Sequence, residues 1–306
     1  VPMTLVVCKQ LNVSPIPFVL SQVFASNIGG AATLVGDPPN IIIASRANLS
    51  FNDFLIHMAP WVIVVMLVIT PMLVFMFRKQ LVNAPEDRTR ISKLDENSYL
   101  KDKVLLRKSL FVLGAVMIAF VLHTALHLEP SIVAMLGAGL LVGISGLKPK
   151  DYAMDVEWGT LVFFAGLFIM VGALVNTGAL GKFAQYLKDQ VGDQASLAAM
   201  VLLIVSAVLS GIVDNIPYVA SMSPVVTELS AGISGQYGDV LWWALAFGAD
   251  FGGNATIIGA SANVVAVGLA HKAGIKISFW QFAKYGIPVT FVSVAMVVPY
   301  ILIRYF

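Results

Sequence analysis

The chain has 306 residues, of which 58% are hydrophobic and only 12% charged, against about 25% charged in an ordinary soluble domain, and its net charge is +2. That balance excludes a soluble globular enzyme and gives no electrostatic ground for a nucleic-acid partner. One cysteine, Cys8, leaves no internal disulfide or thiol metal cluster to consider, and reads as a buried, inert thiol.

The N-terminal run Val1-Pro-Met-Thr-Leu-Val-Val7 is apolar and has no charged leader, so the chain is expected to begin partway through a membrane segment, N-terminally truncated. Residues 15–48 are long enough to cross a bilayer but contain Asn27-Ile-Gly-Gly-Ala-Ala-Thr-Leu-Val-Gly-Asp-Pro-Pro-Asn40. Glycine pairs and Asp37-Pro38-Pro39 cannot continue a regular helix, which predicts two half-helices joined by an unwound stretch. Full crossings are expected at Met58 to Phe77, Val104 to Leu126, Pro130 to Gly146, Trp158 to Asn176 and Trp280 to Ile303. A short interfacial helix is expected over Gly181 to Gln190. Residues 195–230 place two apolar arms around Ser210-Gly-Ile-Val-Asp-Asn-Ile-Pro217, which reads as a re-entrant hairpin with a polar tip.

Residues 238–270 repeat the first interruption. Asp250-Phe-Gly-Gly-Asn-Ala-Thr-Ile-Ile-Gly-Ala-Ser-Ala-Asn263 aligns without a gap on Asn27 to Asn40, every pair being 223 positions apart (252 − 29). The shared pattern GGxxTxxGxxxN holds Gly29, Gly30, Thr33, Gly36 and Asn40 in one copy and Gly252, Gly253, Thr256, Gly259 and Asn263 in the other. Paired, glycine-broken interruptions of two membrane segments are the sequence sign of a transporter's midplane site. The connection 78–108 carries Arg78, Lys79, Arg88, Arg90, Lys93, Lys101, Lys103, Arg107 and Lys108, which orients it to the cytoplasm. The first interrupted segment then runs outward and the second inward, making the two halves inverted repeats. The domains are 1–77, the C-terminal part of the first repeat; 78–103, a cytoplasmic linker; and 104–306, the second repeat. At the spacing that Pro224 keeps from Asp214, the first repeat's own hairpin tip would lie upstream of Val1, so Asp214 and Asn215 are expected to join only the second site.

Unwound backbone supplies carbonyls, and Asn, Thr, Ser and Asp side chains supply further oxygens for an ion. The candidates are Thr33, Asp37 and Asn40 for the first site and Asp214, Asn215, Asn254, Thr256, Ser261 and Asn263 for the second, with sodium a candidate at Asp214, Asn215 and Asn263. Carboxylates at that depth cost roughly 2.5–3.5 kcal/mol on insertion scales, so Asp37, Asp214 and Asp250 are candidates to bind a cation or carry a proton. No organic cofactor is implied. Asp214 also fits a hairpin cap, Asp250 interhelical glue, and Gly137, Gly139 and Gly143 simple close packing; His57, His123 and His127 fall near interfaces and read as wetted.

The stretches Asn27 to Asn40, Val156-Glu-Trp-Gly-Thr160, Asp214-Asn-Ile-Pro217 and Gly252 to Val265 resemble the ion transporter superfamily, in the branch holding arsenical pump membrane proteins, NhaD-type sodium/proton antiporters and the melanocyte P protein, with a citrate transporter-like domain. That resemblance implies an inverted repeat with re-entrant hairpins and two discontinuous helices, a homodimer, and elevator-like alternating access; the expected location is an integral, multi-pass one, in the plasma (inner) membrane if the source is prokaryotic. The implied function is ion- or proton-coupled secondary transport of a small inorganic or organic ion, with arsenite efflux or sodium/proton antiport leading and a sodium-coupled di- or tricarboxylate carrier or a passive anion channel as alternatives. A lone cysteine argues against thiol capture of arsenic. A membrane hydrolase would need HExxH or GxSxG, and a nucleotide-driven pump a P-loop; the sequence holds none of these, and a separate ATPase subunit stays open as a partner.

Overall fold

The structure, a computed structural model, describes residues 1–81, 102–154, 156, 158–178, 182, 185, 186, 194–232 and 238–306. The linker residues 82–101 and most of the helix expected over Gly181–Gln190 lie outside the described residues. Helices follow one another as α1 (Pro2–Gln10), α2 (Ile16–Gly30), α3 (Pro38–Ala47), α4 (Phe51–His57), α5 (Ala59–Leu81), α6 (Lys103–Leu122), α7 (Pro130–Ser145), α8 (Pro149–Ala153), α9 (Trp158–Asn176), α10 (Ala195–Ile212), α11 (Asn215–Gly232), α12 (Gly238–Gly252), α13 (Ser261–Lys272) and α14 (Phe279–Tyr305). The protein is an all-helical, multi-pass membrane protein. Helices α5, α6, α10 and α14 are each long and apolar enough to cross a bilayer.

Helix α12 is the centre of the packing. Val240 through Phe247 are each at most 3% exposed, a helix apolar on every side, which is the pattern of an element surrounded by others. Small residues let α10 lie close against it. A Cβ on Gly248 would stand 2.5 Å from the Ser206 Cβ, and one on Gly252 would stand 2.5 Å from the Ala207 carbonyl oxygen. In a bilayer, where apolar surface gives little drive for helices to associate, such close backbone approach supplies the dispersion contacts. Helix α6 pairs with α7, where Gly137 leaves room for Val116, while Gly139 and Gly143 face open space. Phe111, Met135 and Ile169 are 72–74% exposed, as lipid-facing side chains are.

Two expectations change. The crossing expected to reach Leu126 stops at Leu122, because His123 is buried rather than wetted: its Nε2 accepts from the Phe51 N–H at 3.1 Å and its Nδ1 faces the Leu128 carbonyl at 3.2 Å. These contacts make Nε2 the acceptor and Nδ1 the donor, and tie α6 to α4. His57 is half-buried, stacked on Trp243 with ring centroids 4.9 Å apart, and its Nδ1 lies 2.6 Å from the Tyr305 hydroxyl. Burial, with the Arg304 guanidinium beside it, holds the His57 imidazole below its usual range. The arms of the hairpin, at 18 residues each, are longer than a re-entrant loop requires, so length alone does not set the depth of the tip.

Candidate functional site

Both interrupted helices break where the sequence places the glycines, and they break in the same way. Helix α2 ends at Gly30 and α3 resumes at Pro38; α12 ends at Gly252 and α13 resumes at Ser261, with a short 3-10 turn at Ile257–Gly259 between them. Each second half-helix follows an extended residue, Asp37 (φ −137°, ψ 140°) or Ala260 (φ −151°, ψ 144°), at matched repeat positions. Pro38 and Pro39 occupy the first turn, where an N–H has no intrahelical acceptor to lose.

The glycines work by close approach. None of the motif glycines has positive φ. A Cβ on Gly36 would stand 2.2 Å from the Gly30 carbonyl oxygen, and one on Gly259 would stand 2.8 Å from that of Gly253. Gly29 is different, since a Cβ there meets nothing within 4 Å.

An asparagine latches each turn. Asn40 Nδ2 donates to the carbonyls of Gly30 (3.3 Å) and Thr33 (3.1 Å); Asn263 Nδ2 donates to those of Gly253 (2.7 Å) and Thr256 (2.8 Å). The acceptors are the same repeat positions in both halves. Thr256 itself donates to the Gly211 carbonyl at 2.7 Å, anchoring its turn to the hairpin. Asn27, absent from the sequence-derived candidates, donates to Asn254 Oδ1 at 3.0 Å and Asn263 Oδ1 at 2.8 Å, so the first broken helix is clasped directly to the second. Its signal was available: Asn27 and Asp250 form the first column of the repeat alignment.

The hairpin tip reaches both halves. Asn215 Nδ2 donates to Asp37 Oδ2 at 3.0 Å, and the Ser261 hydroxyl donates to Asp214 Oδ2 at 2.9 Å. The expectation that the tip joins only the second half is therefore corrected for Asn215, whereas Asp214 bonds to Ser261 of the second half. The reason is that Asp37 caps α3 by backbone geometry alone, which leaves its carboxylate to turn toward the tip. Asp214 Oδ1 also accepts from the Ile216 N–H at 3.0 Å, as a capping carboxylate does.

Beside this junction lies a cavity of about 540 Å³ whose polar wall is Gln22, Ser26, Asn27, Asp37, Asn215 and Ser261. That volume is within the usual range for small-molecule sites. Its wall carries no Lys, Arg or His side chain among the described residues. Among its lining residues, Ser261 and Ala262 open α13, and their N–H groups have no intrahelical acceptor.

A family model described as "Citrate transporter" matches residues 1–248. The chain belongs to this family. An uncharacterized transporter of Mycobacterium tuberculosis is 53% identical over 307 residues, covering 100% of this chain and 71% of the relative. A 46 kDa membrane protein of Mycobacterium leprae is 52% identical, covering 99% and 71%. The human P protein is 32% identical over 382 residues, covering 99% of this chain and 46% of its own length. The family match ends before the second motif, whereas these relatives align through it. As a member of the citrate transporter family the chain is a transporter.

Of the candidate residues, Asp37, Asn215 and Ser261 line the cavity of this citrate transporter family member, as does Gly36 of the backbone-opening glycines, and Asp214 touches Ser261. Asn40, Asn254 and Asn263 are fully buried behind the wall, and Thr33 and Thr256 sit in the turns. Asn254 Nδ2, Asn40 Oδ1 and both carboxylate oxygens of Asp250 are buried without a hydrogen-bond partner among the described residues.

Proposed function

We propose that the chain is a secondary active carrier that binds a small ion in the cavity at the hairpin tip and exposes it to the two sides of the membrane in turn. The observation that carries this reading is the convergence of Asp37, Asn215 and Ser261, from three separate elements, on one cavity wall, with Asp214 held against Ser261. Irregular backbone at membrane depth is tolerated where it is buried in protein or lines a wet cavity, and both unwound turns meet that condition here. The basic linker orients the two broken helices oppositely, as in carriers built on inverted repeats. An elevator-like motion in a homodimer accords with the resemblance.

The chemistry of the wall narrows the substrate. A bare tricarboxylate would meet Asp37 with no basic side chain to offset it. A citrate-like anion therefore fits best with a cation bound to it, the cation facing Asp37 and Asp214 and the carboxylates facing the Ser261 hydroxyl and the N–H groups opening α13. Neutral arsenite hydroxide and sodium are the other species this wall accepts by hydrogen bonding and by charge.

Vesicles carrying the complete gene product test this by comparing citrate uptake with and without a divalent cation, arsenite uptake, and sodium-driven proton movement. The expected result is flux of at least one of these that follows the gradient of a second ion. A voltage-driven current indifferent to any second gradient would make the protein a channel and overturn the proposal.

A further inference from the structure

A second cavity, of about 750 Å³, shares no lining residue with the first; Asp53, His57, Asp239, Trp243, Arg304 and Tyr305 border it. It sits at a membrane surface. The last turn of α14 and the residues just before α5 border it, and both helices are long and apolar enough to cross a bilayer. Their ends are tied together there: the Tyr300 hydroxyl donates to the His57 carbonyl, and Arg304 Nη2 donates to the Ile56 carbonyl at 3.2 Å. The His57 ring stacks on Trp243 and on Tyr305, with centroids 4.9 and 5.7 Å away, and Trp61 stacks on Tyr300 at 4.8 Å. Aromatic layers of this kind lie at the level of lipid headgroups.

The charges around this layer are of both signs, and they do not neutralise one another. Arg304, Asp53 and Asp239 all act on the His57 ring, yet among the described residues Arg304 forms no ion pair with either carboxylate; it donates to Ile56 and lies over the Tyr305 ring. Asp53 Oδ2 accepts from the Ser50 N–H and hydroxyl at 2.7 Å each, which commits it to capping α4 and leaves Oδ1. Asp239 stands exposed in the first turn of α12, with no hydrogen-bond partner among the described residues. A bare cation here would meet Arg304, and a bare anion would meet two carboxylates. A molecule that carries both charges satisfies both sides. We propose that this cavity binds the headgroup of a phosphatidylethanolamine lipid, its phosphate on the Arg304 guanidinium and its ammonium N–H groups on Asp53 and Asp239. The place of the cavity, at a membrane surface beside an aromatic layer, favours a lipid over a soluble zwitterion. A headgroup held in this way bridges α4, α12 and α14, so its binding stabilises the fold. The inference goes beyond the transport reading and does not rest on it.

Melting of the complete gene product in detergent, titrated with short-chain phosphatidylethanolamine, tests it. The melting temperature is expected to rise and saturate with this lipid, and not to do so with phosphatidylglycerol of the same chain length, which lacks the ammonium. R304Q and D239N are each expected to need about tenfold more lipid for half of the rise, since each loses a charge-assisted contact. Asp239 is exposed, so D239N is expected to fold and serves if R304Q does not. N215A, at the other cavity, is expected to keep the wild-type response. No saturable rise, an equal rise with phosphatidylglycerol, a wild-type response in D239N, or a response lost in N215A would overturn the proposal. Glycerophosphoethanolamine, the same headgroup without chains, is expected to act only at much higher concentration; a midpoint equal to that of the lipid would make the site one for a soluble zwitterion and overturn the assignment to lipid.

Discussion

Alanine at Gly36 is expected to prevent the first broken helix from closing, while alanine at Gly29, its neighbour in the same motif, is silent. The Cβ of alanine at 36 would stand 2.2 Å from the Gly30 carbonyl oxygen, and backbone cannot swing aside as a flexible side chain can. Overpacking of this kind costs about 1–3 kcal/mol and sometimes more, and here it also separates Asn40 from the Gly30 carbonyl that it latches. G259A, 2.8 Å from the Gly253 carbonyl oxygen, is expected to behave in the same way in the second half. Melting temperatures in detergent check the contrast. Equal melting of G36A and G29A would show that these glycines serve backbone freedom or nothing, and not close approach.

The second large effect separates residues that hold the fold from those that meet the ion. Asn263→Ala removes both latches on the Gly253 and Thr256 carbonyls and takes away one of the two acceptors of Asn27. Each polar group left buried without a partner costs about 1–3 kcal/mol, so N263A is expected to lose most of its folded yield. Asn215→Ala removes one hydrogen bond, to a carboxylate at the cavity wall. It is expected to melt within about 1 kcal/mol of wild type and still lose transport at least tenfold. Yield and flux measured on both variants decide this. A stable, inactive N263A, or an unstable N215A, would reverse the two assignments.

The breaks in the two helices were legible in the sequence because Gly-Gly and Asp-Pro-Pro leave the backbone few alternatives, and their repetition at a constant spacing ruled out accident. Asp37, Asn215 and Ser261 were legible for the related reason that polar side chains inside apolar runs must be accounted for. What was not legible was direction. Nothing in the spacing of Asn40 and Asn263 tells whether an amide turns toward an ion or back to its own loop, and the structure turns both back. Nor does a single chain position reveal that Asn215 reaches Asp37, 178 residues away. His123 was misread because an apolar helix end looks wet from sequence, whereas the packing of α4 closes over it and supplies Phe51 as a donor. Asn27 escaped notice because it lies just outside the strict motif.

Alternating access to the cavity is the centre of this account, and sided thiol labelling tests it most directly. With Cys8, the one cysteine of this chain, replaced by alanine, single cysteines at Ser26 and Ser261 place thiols on two different helices that line the cavity. The account predicts that both react with a membrane-impermeant thiol reagent from the same side, and that reversing the driving ion gradient transfers both to the other side together. Labelling from both sides at once, or of one position without the other, would contradict it.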